Sequence, residues 1–353
     1  MINIIGAGPI GLMTGSHLAK NNNCSSKVKI YEEHNKIGEP VQCTGIVTNE
    51  ILKIIQIKKS IIVNKIKKAQ IISKNNKIEL PVNDLIIDRI QFDNHIKDMT
   101  IDNGAQIITN KKITISKIKN LKGKIIGADG PNSIIRKQIN PKLKINYYVG
   151  KQAVVKGDFQ KDVFKVYVGS IAPNFFSWIV PINETTARIG LAVKNNPSLH
   201  FKKFIKSIKI KKVINYQAGL IPIYNPKIKT QLNNKYIVGD AATQIKASTG
   251  GGLIPGLKCA KILANSIINK TNYDKDWRKK LAKELINQNT PFRWVTDNTN
   301  KIGKSIYNIP IEDFCHLKQT NNANVIISVT QRNSLEEIKE FLKKNKTTNY
   351  FLF

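Results

Sequence analysis

The sequence predicts an α/β protein with more than one domain, and three observations carry this prediction. The chain has 353 residues, which exceeds the length of one average domain. A short apolar strand at the start leads directly into a glycine-rich turn and a helix. Several short runs rich in β-branched and aromatic residues fill the middle of the chain, which indicates a second sheet.

The glycine-rich turn has the sequence G-A-G-P-I-G and follows a strand at residues 2–5. This spacing between a strand and a helix is typical of dinucleotide binding. Gly6 permits the tight turn, Gly8 lets backbone N–H groups approach a pyrophosphate, and Gly11 lets the helix lie close to the sheet. Pro9 belongs to the same turn, at the positive end of the helix dipole.

Four further segments predict an extended cofactor. A second strand ends in Glu32, an acid that accepts hydrogen bonds from an adenosine ribose. Later strands lead into Asp129 within G-A-D-G-P-N-S, and into Gly239 and Asp240 within G-D-A-A. Asp240 would hold ribityl hydroxyls, and a glycine-rich helix N-terminus would direct N–H groups at the electron-rich edge of a flavin ring. Those N–H groups belong to the segment containing Gly251, Gly252 and Leu253.

These motifs together resemble the flavoprotein group that includes the aromatic hydroxylases. Within that group, four stretches are similar to the geranylgeranyl reductase family, namely residues 31–45, 171–181, 239–242 and 248–253. The resemblance extends from residue 2 to about residue 270. It implies a Rossmann-like FAD-binding fold, FAD as the cofactor, and the reduction of C=C bonds in the geranylgeranyl chains of isoprenoid membrane lipids by hydride transfer from reduced flavin.

The resemblance also assigns residues near the flavin. Cys43 and Gly45 lie in the loop after the second strand, which in this family approaches the flavin. Cys43 is either a proton donor or an inert, buried small side chain. Arg89, at the start of a predicted helix, resembles the flavin-proximal arginine of the family, and a surface salt bridge is the alternative.

An aromatic strand carries the predicted substrate contact. Phe176, Trp178 and Val180 alternate with their neighbours and therefore share one face of the strand. The resemblance makes this face a contact for an isoprenoid chain, whereas ordinary sheet core is the alternative. The family usually has Tyr at the position of Phe176 and Phe at that of Val180, so the chain-length preference stays open.

The domain organisation follows from these assignments. We expect a discontinuous FAD-binding domain at residues 1–55, 85–145 and 232–270, and an antiparallel-sheet substrate domain at residues 56–84 and 146–231. Residues 271–353 are predicted to be mostly helical, with a strand at residues 325–329. An amphipathic helix at residues 201–213 suits either an anionic lipid surface or packing on a protein core.

The charge balance is strongly basic, with 57 Lys and Arg against 24 Asp and Glu and a net charge of +33. This excess fits an anionic partner, of which nucleic acid is the least favoured, or a composition biased towards Lys, Ile and Asn. The four cysteines and five histidines form no metal-binding pattern. The absence of a signal peptide or a membrane-spanning apolar run predicts a cytoplasmic protein, either free or peripheral on the inner face of the membrane.

The predicted partners are a prenylated glycerolipid and an electron donor. Only one full dinucleotide fingerprint is present, so the donor would dock transiently, and NAD(P)H, ferredoxin and a deazaflavin all remain open. Two other functions use the same cofactor fold. One is an oxygen-using hydroxylase or epoxidase of an apolar substrate, and the other is a flavin- or lipid-binding protein without turnover.

Overall fold

The computed structural model describes residues 1–21, 27–73 and 77–286, and five short strands beyond them. The strands, in chain order, are β1 (Ile2–Ile5), β2 (Val28–Tyr31), β3 (Ile46–Thr48), β4 (Ile62–Ile72), β5 (Lys77–Ile87), β6 (Gln106–Ile108), β7 (Lys124–Gly127), β8 (Tyr147–Lys156), β9 (Val163–Val168), β10 (Phe176–Pro181), β11 (Thr186–Val193), β12 (Lys212–Pro222), β13 (Gln231–Leu232), β14 (Lys235–Ile237), β15 (Arg293–Thr296), β16 (Ser305–Ile306), β17 (Ile309–Asp313), β18 (Val325–Ser328) and β19 (Tyr350–Leu352). The helices are α1 (Pro9–Ala19), α2 (Ile51–Ile54), α3 (Arg89–Asp102), α4 (Ile115–Ile118), α5 (Ile134–Ile139), α6 (Pro197–Ser207), α7 (Leu253–Ile268) and α8 (Tyr273–Ile286).

The first sheet has six strands in the order β13-β14-β7-β1-β2-β6, parallel except for the β13–β14 pair. Side chains of α1, α3, α7 and α8 form one apolar core with this sheet, including Leu12, Phe92, Leu263 and Trp277. The parallel strands end at the same edge, where the glycine turn after β1 meets the loops after β2, β7 and β14. The sheet therefore gathers the sequence motifs in one place.

The second sheet has eight strands in the order β12-β8-β11-β10-β9-β4-β5-β3, and its pairs are antiparallel except β4–β9. The long strand β4 begins directly after a short turn at Lys59–Ile61 and pairs with β5 and β9. A hairpin joins β10 to β11, which pair antiparallel. Strand β3 belongs to this sheet although it falls within residues 1–55, so the division into domains stays a prediction.

The two faces of this second sheet have different roles. One face packs against α6 through a core that includes Phe201 and Phe204. The other face carries Phe176, Trp178 and Val180 in a separate apolar cluster. The alternation predicted for β10 is therefore observed, with Ile179 on the opposite face.

The amphipathic segment differs from the prediction. Helix α6 ends at Ser207, and residues 212–222 form β12, paired with β8. Phe201 and Phe204 are 4% and 0% exposed, because they pack on the sheet. The apolar face of α6 is thus covered by protein, and it is not available to a lipid surface. In the part of the chain described here, no helix combines the length and the apolar character needed to cross a membrane.

The region after residue 270 is only partly helical. Helix α8 accounts for its beginning, whereas β15–β19 form a five-stranded sheet. The predicted strand at residues 325–329 is observed as β18. Each of these strands has five residues or fewer. In so short a run, the spacing of apolar residues does not distinguish a helix from a strand. The expectation of a mostly helical region does not hold for these strands.

Candidate active site

The turn after β1 has the geometry that a pyrophosphate requires. Gly6 has φ +98°, and a Cβ there would lie 2.4 Å from the Ala128 carbonyl oxygen. A Cβ on Gly11 would lie 2.0 Å from the Gly6 carbonyl oxygen, so the helix can start only with glycine at this position. A Cβ on Gly8, by contrast, would meet no atom within 4 Å. The open space beside Gly8 at the N-terminus of α1 is a cradle for a phosphate group.

Glu32 closes this turn from the neighbouring strand. The Ala7 N–H donates to Glu32 Oε2 at 2.8 Å, and the His34 N–H donates to Oε1 at 3.0 Å. The His34 Nδ1 lies 2.6 Å from the same Oε1, a contact that the sequence did not predict. The carboxylate is 13% exposed and lines the cleft, where a ribose hydroxyl can reach it.

The loop after β7 contains Asp129 and is held from behind by Arg136. Asp129 Oδ2 accepts the Ile134 N–H at 2.8 Å, whereas its Oδ1 is buried with no hydrogen-bond partner. The buried Arg136 donates to the carbonyl oxygens of Pro131 and Ala241, at 2.5 and 3.3 Å. Arg136 therefore ties the loop after β7 to the loop after β14. Arg136 thus acts inside the protein and does not line the cleft.

Asp240 faces the cleft from the loop after β14. Burial raises the pKa of Asp240 to about 6, although Arg89 and Arg136 oppose the shift. A Cβ on Gly252 would lie 2.9 Å from Asp240 Oδ1, so the glycine-rich loop lies directly against this carboxyl group. No hydrogen bond to the Asp240 side chain is present among the described residues. An acceptor buried in this way suits hydroxyl donors supplied by a ligand.

The loop after β2 brings Cys43 beside two arginines. The Gly45 N–H donates to Cys43 Sγ at 3.3 Å, and Arg89 interacts with the same sulfur. Arg89 also binds Asp93 through two hydrogen bonds of 3.0 Å. Burial lowers the pKa of Arg89, but the interactions with Asp93 and Cys43 raise it by a larger amount. The pKa of Arg89 therefore lies above its ordinary value. Arg188 Nη1 donates to the Thr44 carbonyl oxygen at 2.7 Å and fixes the loop from the second sheet.

The predicted site residues converge on one cleft of about 2570 Å³. Those that line it are Gly6, Gly8, Pro9, Glu32, Cys43, Arg89, Asp129, Phe176, Trp178, Asp240, Gly251, Gly252 and Leu253. The other predicted glycines do not line the cleft, but they belong to the loops that do: Gly11, Gly45 and Gly239. The volume exceeds the 300–1,000 Å³ of an ordinary ligand pocket, so the cleft has room for a dinucleotide and a second ligand.

The second sheet supplies the apolar wall of this cleft. Phe176 and Trp178 lie edge to face with ring centroids 5.9 Å apart, and Val180 continues the same face. Trp178 Nε1 donates to Gln152 Oε1 at 3.1 Å, and Gln152 Nε2 donates to Gln217 Oε1 at 2.5 Å. The indole is therefore fixed at its polar edge, while its hydrocarbon faces remain part of the wall.

Several residues of the cleft were not predicted from the sequence. They are Asp84, Lys246, Gln152 and Gln217, which line the cleft, and Arg136 and Arg188, which support its loops. Arg136 follows the G-A-D-G-P-N-S segment by three residues, so its position beside this loop had a local signal. Pro81 and Asn83 interrupt the alternation of β5 beside Asp84, so the position of Asp84 had no local signal.

The cleft fits FAD on these structural grounds. The cradle at Gly8 suits the pyrophosphate, Glu32 suits the ribose, and the unpartnered carboxyl of Asp240 suits the ribityl hydroxyls. The N-terminus of α7, at Gly252 and Leu253, provides N–H groups for the flavin ring. The cleft thus offers N–H donors at the N-termini of α1 and α7 and carboxylate acceptors at Glu32 and Asp240, as a dinucleotide requires.

Comparison with known proteins places the chain among archaeal relatives. It is 30% identical over 320 residues to an uncharacterized protein of Methanocaldococcus jannaschii, covering 80% of this chain and 81% of the relative. It is 25% identical over 332 residues to digeranylgeranylglycerophospholipid reductase 1 of Methanococcoides burtonii, covering 80% and 81%. The reductase 3 of Methanosphaera stadtmanae is 26% identical, with 80% of each chain covered. No protein-family model matches the chain.

Solved structures support the same fold. A geranylgeranyl bacteriochlorophyll reductase-like protein from Thermoplasma acidophilum has a TM-score of 0.67 at 22% identity, covering 80% of this chain and 83% of that one. The flavin-dependent halogenase CmlS has a TM-score of 0.61 at 16% identity, covering 80% and 62%. At these identities the structures show the fold, and the sequence relatives show the family. The chain belongs to the geranylgeranyl reductase family of FAD-dependent oxidoreductases.

Proposed function

We propose that this protein saturates C=C bonds in the geranylgeranyl chains of isoprenoid membrane lipids. One observation carries the proposal: the apolar wall of the second sheet opens into the same cleft as the dinucleotide-binding turns. An alkene held on that wall can approach the part of the cleft that suits the flavin ring. The names of the curated relatives support a prenylated glycerolipid as the substrate.

The wall binds the hydrocarbon chain by removing it from water. Phe176 and Trp178 offer apolar surface to the cleft, with Val180 buried on the same face, and burial stabilises the bound chain by about 25 cal/mol for each Å² removed from water. Because the Trp178 indole is fixed by Gln152, this face keeps its shape when the chain binds. An isoprenoid chain offers no polar group near its double bonds, so shape and position must orient it.

The loop residues orient the cofactor and exclude water from its edge. Gly8, Glu32 and Asp240 would hold FAD, and Arg89 and Cys43 would lie along the ring portion of the cleft. When bound and reduced, FAD supplies a hydride. Several double bonds in one lipid require the chain to slide along the Trp178 wall or to rebind.

The electron donor and the location also belong to this proposal. A donor that docks transiently, whether NAD(P)H, ferredoxin or a deazaflavin, suits a chain with one dinucleotide turn. The net charge of +33 favours an acidic carrier over a neutral one. We place the protein in the cytoplasm with peripheral access to the membrane that holds its substrate.

The test uses the reduced protein without oxygen. FAD is confirmed by its absorption and reduced anaerobically, and digeranylgeranyl glycerolipid is then added. Mass gains in steps of two hydrogens, together with reoxidation of the flavin, are the expected result. Unchanged lipid would contradict the proposal, and added oxygen that appears only after air is admitted would show a hydroxylase or epoxidase.

A matched pair of variants locates the substrate. Trp178→Ala should slow reoxidation by the lipid and leave anaerobic reduction of the flavin unchanged. Tyr216→Ala removes a 69% exposed aromatic ring from the same sheet and should leave both rates unchanged. Equal effects of the two variants would indicate that the wall does not bind the lipid.

A further inference from the structure

An acid interrupts the apolar wall of the cleft. Leu80, Val82 and Asp84 alternate along β5 and all line the cleft, and Ile86 continues the same face. Val82 and Ile86 pack in the cluster that contains Trp178. A carboxyl group among hydrocarbon side chains is costly unless it has a partner or a function, so Asp84 requires an explanation.

Asp84 lies on the strand that also holds the loop containing Cys43, and both line the same cleft. Strand register places it opposite Thr48 on β3, which also lines the cleft. Three residues further along β5, the Ile87 N–H donates to the Gly45 carbonyl oxygen at 2.8 Å, in the loop that contains Cys43. Asp84 is therefore about 10 Å along the strand from the loop that faces the cofactor, at about 3.4 Å per residue.

Among the described residues, Lys246 is the cation whose charge acts on this carboxyl group. Lys246 lines the cleft from the loop that precedes the glycine-rich N-terminus of α7. Burial raises the pKa of Asp84, and the charge of Lys246 opposes that shift without reversing it. Among the described residues, neither side chain has a hydrogen-bond partner. Asp84 is thus held without a fixed partner, in a setting that favours the protonated form more than water does.

We infer that Asp84 donates the proton that completes reduction of the alkene, an inference that rests on the proposed function. The C=C π bond breaks, the Asp84 carboxyl proton forms one new C–H bond, and a hydride from the reduced cofactor forms the other. The lipid is reduced by two electrons and the cofactor is oxidised by two. Water returns a proton to the Asp84 carboxylate before the next turnover.

The surroundings of Cys43 favour Asp84 as the donor. Cys43 Sγ accepts the Gly45 N–H and lies beside the Arg89 guanidinium, and both interactions favour sulfur as an acceptor. Asp84 instead lies on the face of β5 that carries Val82 and Ile86, and among the described residues Lys246 is the group whose charge opposes the rise in its pKa. A positioned acid of this kind contributes about 10²–10⁴-fold to a rate.

The experiment compares Asp84→Asn with Glu79→Gln in the FAD-loaded protein. Glu79 is an acid on the same strand, but it is exposed and pairs with Lys68 at the surface. Both variants replace a carboxyl group by an amide of the same size. The measurements are anaerobic reoxidation of the reduced flavin by digeranylgeranyl glycerolipid, lipid affinity from the change in flavin absorption, and infrared spectra of the carboxyl C=O band at neutral pH.

The expected result has three parts. Asp84→Asn slows reoxidation about 10²–10⁴-fold, keeps the lipid affinity, and removes a protonated carboxyl band that wild type and Glu79→Gln retain. An Asp84→Asn rate equal to wild type, or a wild-type spectrum that lacks this band, overturns the inference and leaves the reductase function standing. Failure of the wild type to transfer hydrogen to the lipid overturns both. The three failures are therefore distinguishable.

Discussion

Replacing Asp240 by Asn should affect the stability of the FAD-free protein and its affinity for FAD in opposite directions. Asp240 lies against the glycine-rich loop, and burial raises its pKa from 3.8 to about 6. In the unfolded chain the same carboxyl titrates near its ordinary value. The folded protein therefore binds this proton more tightly than the unfolded chain does.

The magnitude follows from that difference. A shift of about two pKa units corresponds to an upper bound of about 3 kcal/mol, because one unit is worth about 1.4 kcal/mol. The value is an upper bound because Asp240 keeps part of its surface open to the cleft. This stabilisation is fully present below about pH 4 and is lost as the pH rises through about 6. Asn cannot ionise, so the FAD-free variant should lose no stability in that window.

Cofactor binding should respond in the other direction. The ionised carboxylate is a stronger acceptor for ribityl hydroxyls than an amide, and a hydrogen bond to a charged group contributes about 1.5–3 kcal/mol. Asp240→Asn should therefore raise the Kd for FAD about 10- to 150-fold. Urea unfolding of the FAD-free proteins at about pH 4, 6 and 7.5 measures the first effect, across the window set by linkage. Titration of flavin fluorescence measures the second.

Two outcomes would refute this reasoning. One is a FAD-free Asp240→Asn variant that is less stable than wild type at neutral pH, since that would mean that Asp240 is stabilised as an anion in the cleft. The other is an unchanged Kd for FAD, since that would remove Asp240 from the cofactor site. If both measurements agree with expectation, the ionised carboxyl group of Asp240 destabilises the FAD-free protein and strengthens the binding of FAD.

Three other predictions concern single positions. Gly8→Ala should weaken FAD binding without changing the stability of the FAD-free protein. Gly11→Ala should lower that stability by ~2 kcal/mol, because its Cβ would meet the backbone. Urea unfolding of the two FAD-free variants distinguishes these effects. Arg136→Met should lower the free energy of unfolding by about 3 kcal/mol or more, because it leaves buried carbonyl oxygens without donors, and wild-type stability in the variant would be contrary to this. Gly190→Ala should lower lipid affinity more than FAD affinity, because its Cβ would lie 2.5 Å from Trp178 Cζ2, and equal losses would argue against a separate wall.

Motifs with local signals were predicted well from the sequence. The strand before Gly6, the helix after it, and the helix that begins at Leu253 all lie where periodicity and glycine spacing place them. Asp240 could be assigned to the cleft because a parallel strand that ends in a polar residue delivers it to a known edge. These features depend on residues that are neighbours in the chain.

Features that depend on strand pairing were missed. Strand β12 begins with Lys212 and was assigned in part to the preceding helix, yet its hydrogen bonds to β8 decide its conformation. Asp84 reaches the cleft only because β5 pairs with β3 and β4 in a particular register. Gln152 of β8 accepts a hydrogen bond from Trp178 of β10, although the two residues are 26 positions apart in the chain. Such contacts are set by tertiary structure and have no local signature.

The loop at residues 43–45 joins the two parts of the site physically. The carbonyl oxygen of Gly45 accepts the Ile87 N–H of β5, and Arg188 of β11 donates to the carbonyl oxygen of Thr44. Both strands belong to the sheet that carries the apolar wall. The loop after β2 is therefore fixed by strands of the sheet whose apolar face is the proposed binding surface for the hydrocarbon chain. Because hydride transfer depends steeply on the distance between the reacting atoms, a shift of this sheet would move both partners of the reaction together.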